Sequence, residues 1–237
     1  MAQERRKRQG HLEGTAGLLH ERESESGSAL MPVTARGEAT RRRILDAAET
    51  VFGAKGYHGA SVTEITQRAQ VAQGTFYLYF RSKREIFLKL VEDLGERMRV
   101  SLRAASHNSG DRLAMERDGF RAFFAYTRVH PQLFRIVQEA DRLDQPTFQE
   151  YYTRLARPYE RGLRKAMAAG EIREMDAEAL AYTLIGIGHF LAQRWLVWSE
   201  SEVGQAGRDH AAEGEAPELP ERVFAMLLDF LAHGLKP

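Results

Sequence analysis

The spacing of apolar residues restricts this chain to helices. Between residues 39 and 233 apolar residues recur three and four positions apart, and no stretch sustains an alternation of apolar and polar residues. Recurrence three and four positions apart is typical of an amphipathic helix, whereas alternation is typical of a half-buried strand. The pattern therefore predicts an all-α protein. The predicted helices lie near residues 39–55, 61–69, 73–80, 82–106, 111–129, 131–140, 146–169, 176–199 and 218–233.

Two polar stretches flank or interrupt this pattern. Residues 1–36 are rich in Gly, Ser, Glu and Arg, which predicts a disordered tail. The basic run at residues 5–8 is either a DNA-touching arm or part of a solvated tail, and the second interpretation is favoured. Residues 200–217 are predicted to form a loop before the last helix.

Composition excludes several classes of protein. The chain has 237 residues and no Cys, which rules out disulfides, zinc sites built on thiolates and a cysteine nucleophile. Its 34 Lys and Arg nearly balance its 33 Asp and Glu, so any affinity for DNA must come from a local patch. Residues 177–198 are the most apolar segment, but they carry Glu178, His189, Gln193 and Arg194. We therefore expect a soluble, cytoplasmic protein with no membrane partner.

Catalytic signatures are missing as well. The segment 53–56 contains two Gly and a Lys, but it follows no strand and no Gly-Lys-Ser/Thr comes after it. The chain has no Gly-x-Ser-x-Gly motif, and its His residues show no metal-ligand spacing. We expect neither an enzyme nor a cofactor nor a metal site.

The first helix is amphipathic and ends at a glycine. Its apolar stripe consists of Ile44, Ala47, Ala48, Val51 and Phe52. Gly56 can adopt the left-handed backbone that stops a helix.

Two short helices follow. Ser61 and Glu64 have the spacing of a capping box, in which each side chain bonds to the other residue's amide. Phe76 and Phe80 are four residues apart and should face inward, and a second capping box at 82–85 opens a long helix. Two short helices joined by a tight turn and braced by a third predict a helix-turn-helix.

The second short helix would enter the major groove of DNA with its N-terminal residues. Those residues are Gln73, Gly74 and Thr75. Glutamine can pair with adenine, threonine can contact the methyl group of thymine, and glycine lets the backbone approach the duplex. Tyr77, Tyr79 and Lys83 are predicted phosphate donors. The alternative for the two tyrosines is a place in the core.

Residues 40–92 resemble the DNA-binding region of TetR-family transcriptional regulators. The segments that carry the resemblance are ILDAAETVFGAKGY, SVTEI and GTFYLYFRSKREIF. It implies that Ser61 and Thr63 approach phosphates and base edges, that Gln73 and Thr75 read bases, and that Tyr77, Tyr79 and Lys83 hold the DNA backbone. The chain departs from the family in two places: Gln70 replaces the usual Gly of the turn, and Ala72 replaces a Ser or Thr cap. Residues 36–95 carry ten Lys and Arg and seven Asp and Glu, a difference of +3.

The resemblance also implies a domain plan: a tail at 1–36, a helix-turn-helix domain at 37–84, and a helical domain for ligand binding and dimerisation at 85–237. The helix at 176–199 has two apolar stripes and should therefore pack on two sides. The first stripe consists of Leu180, Leu184, Ile187, Leu191, Trp195 and Trp198, and the second of Tyr182, Ile185, His189 and Leu196. The helix at 218–233 has an apolar side formed by Val223, Met226, Leu227, Phe230 and Leu231. In the family the last two helices form the dimer interface, which suits a palindromic operator. The alternative is a monomeric core.

Aromatic residues in the C-terminal half predict an apolar ligand cavity. The candidate ligand-binding residues are Phe120, Phe123, Phe124, Phe134, Tyr152, Leu155, Tyr159 and His189. Arg194 is a further candidate anchor, and a packing role in the core is the alternative for each of these residues. The basic row Arg154, Arg157, Arg161 and Arg164 could bind a nucleotide-bearing ligand, but its spacing from Glu150 and Glu160 favours a solvated face.

The sequence thus predicts a DNA-binding repressor that dimerises and leaves its operator when an apolar small molecule binds. A weak similarity of the C-terminal half to regulators of fatty-acid or acyl-coenzyme A metabolism makes those compounds the candidate effectors. The alternative is a DNA-binding or architectural protein that responds to no ligand.

Overall fold

The computed structural model describes residues 34–198 and 218–236, all within the compact unit 31–237. These residues form nine α-helices and no strand: α1 (Ala35–Gly59), α2 (Val62–Ala69), α3 (Gln73–Tyr79), α4 (Lys83–Ser106), α5 (Arg112–Val129), α6 (Leu133–Leu143), α7 (Gln145–Ala168), α8 (Ala177–Ala192) and α9 (Glu221–Leu235). A π-helical turn, Gln193–Val197, continues α8. The all-α prediction is confirmed. Residues 1–33 of the predicted tail, which include the basic run at 5–8, and the whole predicted loop at 200–217 lie outside the described residues.

Helix α1 starts four residues before its predicted position. The Thr34 side chain accepts a hydrogen bond from the Gly37 amide at 3.0 Å and so caps the helix. Gly56 has a φ of 71°, as predicted for the residue that stops the regular helix, and a last turn follows it to Gly59.

Two hydrophobic cores hold the helices together. The first is formed by α1 to α4 and α6, with one buried tyrosine each from α5 and α7. Its largest fully buried side chains include Phe52, Phe76, Phe80 and Phe87. The second is formed by α5 to α9 and includes Leu163 and Leu184. The apolar stripe predicted for α1 lies in the first core.

Charged side chains join α1 to α4 beside the first core. Arg42 donates to Asp93 at 3.1 Å, and Arg97 donates to Glu49 at 3.2 Å. Glu49 also contacts the His130 ring nitrogen at 2.5 Å, at the end of α5. Because most of these side chains are shielded from water, the cluster fixes α1 against α4 more firmly than surface pairs would.

Among the described helices, none is both long enough and apolar enough to cross a membrane.

Candidate nucleic-acid interface and ligand cavity

The turn between α2 and α3 uses a residue other than glycine in a left-handed backbone. Gln70 has φ 54° and ψ 47°, the conformation for which the family supplies Gly. This conformation costs a residue with a Cβ about 1–2 kcal/mol. Ala72, the N-cap of α3, makes no side-chain hydrogen bond to the helix. Both departures seen in the sequence therefore leave the turn geometry intact and make it less stable.

Helix α3 presents one side to the core and the other to solvent. Phe76 is fully buried, and Phe80, just after the helix, is 1% exposed. Gln73 and Gly74 are exposed, and a Cβ on Gly74 would meet no atom within 4 Å. Thr75 is half-buried. The N-terminal end of α3 is thus open to a molecule as large as a duplex.

Thr63 on α2 supports Gln73 on α3. The Gln73 Nε2 donates to Thr63 Oγ1 at 2.8 Å. Ser61 instead caps α2, since its Oγ accepts from the Glu64 amide and Glu64 bonds back to the Ser61 amide. The pKa of Glu64 is lowered by its hydrogen bonds from Lys55 and Ser61, so this carboxylate stays ionised and paired with Lys55.

The two tyrosines of α3 lie in different surroundings. Tyr77 is 51% exposed, which the core alternative does not explain. Tyr79 is half-buried and packs against the first core. Leu78 is also exposed, at 48%, and was not among the predicted contacts.

Lys83 has an intramolecular role that the sequence did not indicate. Its Nζ donates to the carbonyl oxygens of Tyr57 at 2.8 Å and Ala60 at 2.9 Å, and it lies 4.6 Å from the centre of the Tyr57 ring. The side chain therefore ties the start of α4 to the end of α1. The predicted second capping box is half present, because Glu85 reaches the Arg81 amide rather than that of Ser82.

A cavity of about 280 Å³ lies between α4, α5, α7 and α8, with one residue from α6. Seven of the eight predicted ligand-binding residues line it: Phe120, Phe123, Phe134, Tyr152, Leu155, Tyr159 and His189. Phe124 is not among the lining residues; its ring lies 6.3 Å from that of Phe224 on α9, in the second core. Arg194 is not among them either and lies over the Trp195 ring at 5.7 Å.

Helix α4 supplies a wall of the cavity that sequence reasoning missed. The side chains concerned are Met98, Arg99, Leu102, Arg103 and Ser106. In the sequence they belong to an ordinary amphipathic helix, and only the packing of α4 against α5 and α7 brings them to one space. The basic row of α7 is exposed, and Arg154 and Arg164 pair with Glu150 and Glu160, as the solvated alternative predicted.

Several side chains of the cavity wall carry polar groups that are partly or fully shielded from water. His189 lies 3.4 Å from the Tyr152 hydroxyl, and its ring is 4.3 Å from that of Phe134. Burial lowers the pKa of His189, so the imidazole is neutral at pH 7. Burial also raises the pKa of Tyr152 to about 12. On α5, Arg112 pairs with Glu116, and Tyr159 donates to the same carboxylate.

Helix α6 touches both the cavity and the end of α1. Phe134 lines the cavity, and the neighbouring Arg135 donates to the Gly53 carbonyl at 2.8 Å. Glu139, one turn further, accepts from the Tyr57 amide at 2.7 Å. A displacement of α6 would therefore change both the cavity wall and the contacts with the end of α1.

Helices α8 and α9 expose an apolar surface. It consists of Tyr182 and Phe190 on α8, and Met226 and Phe230 on α9; Phe190 and Phe230 are each 60% exposed. The second apolar stripe predicted for α8 is thus only partly right, because Tyr182 lies on this surface while His189 turns to the cavity.

Comparison with known proteins yields a family model and several relatives among bacterial transcriptional regulators. A model described as bacterial regulatory proteins of the tetR family matches residues 44–90. The uncharacterized HTH-type transcriptional regulator YdgC of Bacillus subtilis is 30% identical over 169 residues, which cover 68% of this chain and 84% of YdgC. The HTH-type transcriptional activator FasR of Mycolicibacterium smegmatis is 31% identical over 106 residues, which cover 45% of this chain and 48% of FasR.

Among solved structures, the transcriptional regulator FadR of Bacillus subtilis in complex with stearoyl-CoA shares the fold. Its TM-score is 0.65 at 20% identity, and the match covers 82% of this chain and 98% of that one.

Proposed function

Because the chain belongs to the tetR family of bacterial regulatory proteins, we propose that it binds a palindromic operator as a homodimer and leaves it when an apolar ligand fills the cavity. It is a transcriptional regulator and not an enzyme, and regulators of this family bind DNA and dimerise. The observation that carries the rest of the proposal is the double contact of α6, with the cavity through Phe134 and with α1 through Arg135.

On DNA, α3 would lie in the major groove with Gln73 and Thr75 at the base edges. The exposed Tyr77 hydroxyl, Tyr79 and the amides near Ser61 would donate to phosphates. The side chain of Arg81 is exposed and makes no ion pair within the described residues, so it is a further phosphate contact that the sequence analysis did not name.

The dimer would form through the apolar surface of α8 and α9. Large apolar side chains that are clustered and exposed commonly mark an interface. A two-fold dimer would place two α3 helices about one DNA turn apart, which fits an operator with two related half-sites.

Ligand binding would release the protein from DNA through a movement of α6. A ligand between Phe120, Phe134 and His189 needs room that the present packing of Phe134 on His189 partly occupies. Displacing Phe134 would move α6, and with it the hydrogen bonds to the end of α1. The two α3 helices of the dimer would then no longer match the spacing of the half-sites.

The ligand would carry an apolar chain, as a fatty acid or an acyl-coenzyme A does. This inference depends on the aromatic and aliphatic lining, because a fold shared at 20% identity with a regulator bound to stearoyl-CoA does not transfer its ligand. A regulator that leaves DNA with its ligand acts as a repressor when its operator overlaps a promoter, and that is the mode we propose.

The test is fluorescence anisotropy on the DNA upstream of the chain's own gene, with and without dodecanoate and dodecanoyl-coenzyme A. We expect a ligand to weaken DNA binding by about tenfold or more. The control is Leu155→Trp, which fills the cavity and should keep DNA binding while losing the response. Ligand-indifferent binding by the unmodified protein would favour the architectural alternative.

A further inference from the structure

A buried ion pair lies in the wall of the ligand cavity. Arg112 and Glu116, one turn apart on α5, are 7% and 3% exposed. Arg112 Nη2 donates to Glu116 Oε1, and the Tyr159 hydroxyl donates to Glu116 Oε2. Buried pairs are costly because both charges lose water, and stability alone is a weak reason to keep one beside a cavity.

The surroundings of Arg112 leave room for its guanidinium and hold it in place. A Cβ on Gly162 would lie 2.8 Å from Arg112 Nη1, so glycine at that position makes space for the group. The Tyr159 ring lies 5.2 Å from the guanidinium carbon, within the range of a cation–π contact. The Arg112 amide donates to Glu171 at 2.9 Å, which fixes the start of α5.

One donor of this group is unused. Within the described residues, Arg112 Nε is buried and has no hydrogen-bond partner, while both oxygens of Glu116 are occupied. A buried donor without an acceptor is unfavourable, and an acceptor supplied by a ligand would remove that cost. Arg112 and Glu116 both line the cavity, so a ligand there would meet a guanidinium with unused donor capacity beside a carboxylate that already accepts two hydrogen bonds.

The charge of Arg112 is already balanced. A ligand carboxylate placed against it would be a second anion next to Glu116, and the apolar cavity would then hold an uncompensated negative charge. A neutral carbonyl oxygen would accept from the guanidinium without changing the charge. Burial raises the pKa of Glu116 despite Arg112 and Tyr159, and a second anion beside it would raise that pKa further, so entry of a carboxylate favours uptake of a proton there.

The other charged or titratable groups of the cavity do not replace Arg112 as a deep anchor. Arg99 pairs with Glu96, Arg103 is exposed, and His189 is neutral at pH 7. A carboxylate held by Arg103 would stay in water, where an ion pair changes affinity by less than about fivefold.

We propose that the cavity selects neutral amphiphiles, in which an aliphatic chain carries a carbonyl head such as an ester, thioester or amide, over the corresponding free carboxylates. The Arg112 guanidinium donates to the carbonyl oxygen, and the negative charge of Glu116 disfavours the anion. This selectivity depends on the proposed ligand-binding function.

The test compares decanoate with methyl decanoate at pH 8.0, measured by displacement of the neutral dye N-phenyl-1-naphthylamine from the full chain. We expect the ester to bind about tenfold more tightly, the effect of a hydrogen bond from a charged donor. In Glu116→Gln, which keeps the shape but removes the negative charge, the preference should reverse toward decanoate. Arg161→Gln, an exposed position on α7 outside the cavity, is the matched control and should leave the ratio of affinities unchanged.

A second measurement uses only the unmodified protein, in case Glu116→Gln fails to fold. Decanoate is ionised throughout pH 6.5–8.5, and its binding would carry a proton to Glu116. Its affinity should therefore fall as pH rises, by up to about tenfold per pH unit, while that of the ester stays constant. Equal affinities at every pH, or a Glu116→Gln ratio like that of the unmodified protein, would overturn the selectivity alone. Failure of dye, acid and ester to bind would overturn the ligand-binding function with it.

Discussion

The hydrogen bond from Gln73 to Thr63 predicts that Thr63 determines base preference without reading a base. A glutamine amide has two N–H groups and one oxygen. One N–H given to Thr63 Oγ1 at 2.8 Å leaves the other N–H and the oxygen for adenine, whose edge offers one acceptor and one donor. Thr63→Val has nearly the same shape but lacks the acceptor, so it frees the amide to rotate.

The expected loss of base preference follows from the free energy of this hydrogen bond. A neutral hydrogen bond contributes about 0.5–1.5 kcal/mol, so Thr63→Val should lower the preference for the favoured base by about 2- to 13-fold. Thr63→Ser keeps the hydroxyl and should retain the preference. The base pair is identified first with Gln73→Ala, and binding is then measured by anisotropy on operators that carry each of the four base pairs there.

The competing explanation makes a different prediction. If Thr63 only contacts a phosphate, Thr63→Val should weaken binding equally for all four operators. An unchanged ratio between the four affinities would therefore refute the positioning argument, even if every affinity fell.

Four further predictions follow from single contacts. Arg135→Ala removes the bonds from α6 to the α1 carbonyls, so DNA binding should persist while its response to ligand falls by about tenfold; a full response in the anisotropy assay would show that α6 does not transmit it. Gln70→Gly removes the strain of the left-handed backbone, and Ala72→Ser supplies the missing helix cap. Each should raise the free energy of unfolding by about 1 kcal/mol, or Tm by about 2–4 °C. Calorimetry that showed no gain would contradict the assigned turn geometry. Phe190→Glu places a charge on the exposed surface of α8 and should yield a monomer by light scattering, whereas an intact dimer would locate the interface elsewhere. Tyr77→Phe removes one phosphate donor and should weaken binding about 2- to 13-fold on every operator; a change confined to one base pair would assign Tyr77 to base reading.

The sequence was sufficient for the helix-turn-helix because its signals are local. The capping box of Ser61 and Glu64, the inward pair Phe76 and Phe80, and the stop at Gly56 each depend on residues a few positions apart. These short-range rules placed the helix limits within about four residues. The resemblance to the TetR family, rather than these rules, identified Gln70 and Ala72 as the unusual positions of the turn.

The polar wall of the cavity could not be predicted in the same way. Arg112 and Glu116 have the i,i+4 spacing of a surface pair, and nothing local distinguishes them from Arg154 and Glu150, which are exposed. Their burial results from α7, whose Gly162 admits the guanidinium. Whether an i,i+4 charged pair is buried or exposed therefore depends on contacts between helices that are distant in sequence.

Phe124 and Lys83 illustrate the same limit. Phe120 and Phe124 are on one face of α5, but α9 covers only the second, which takes it away from the cavity. The two carbonyls that receive Lys83 come from the end of α1, more than twenty residues earlier. The sequence could therefore predict a phosphate contact for Lys83 but not its two hydrogen bonds within the fold.

The central claim is that α3 reads DNA sequence, and equilibrium binding tests it most directly. The measurement compares the affinity for the DNA upstream of the chain's own gene with that for a shuffled duplex of equal length and composition, at about 150 mM salt. The account predicts that the upstream DNA binds at least about 10³-fold more tightly, and that Gln73→Ala removes much of the difference. Equal affinity for the two duplexes would contradict it.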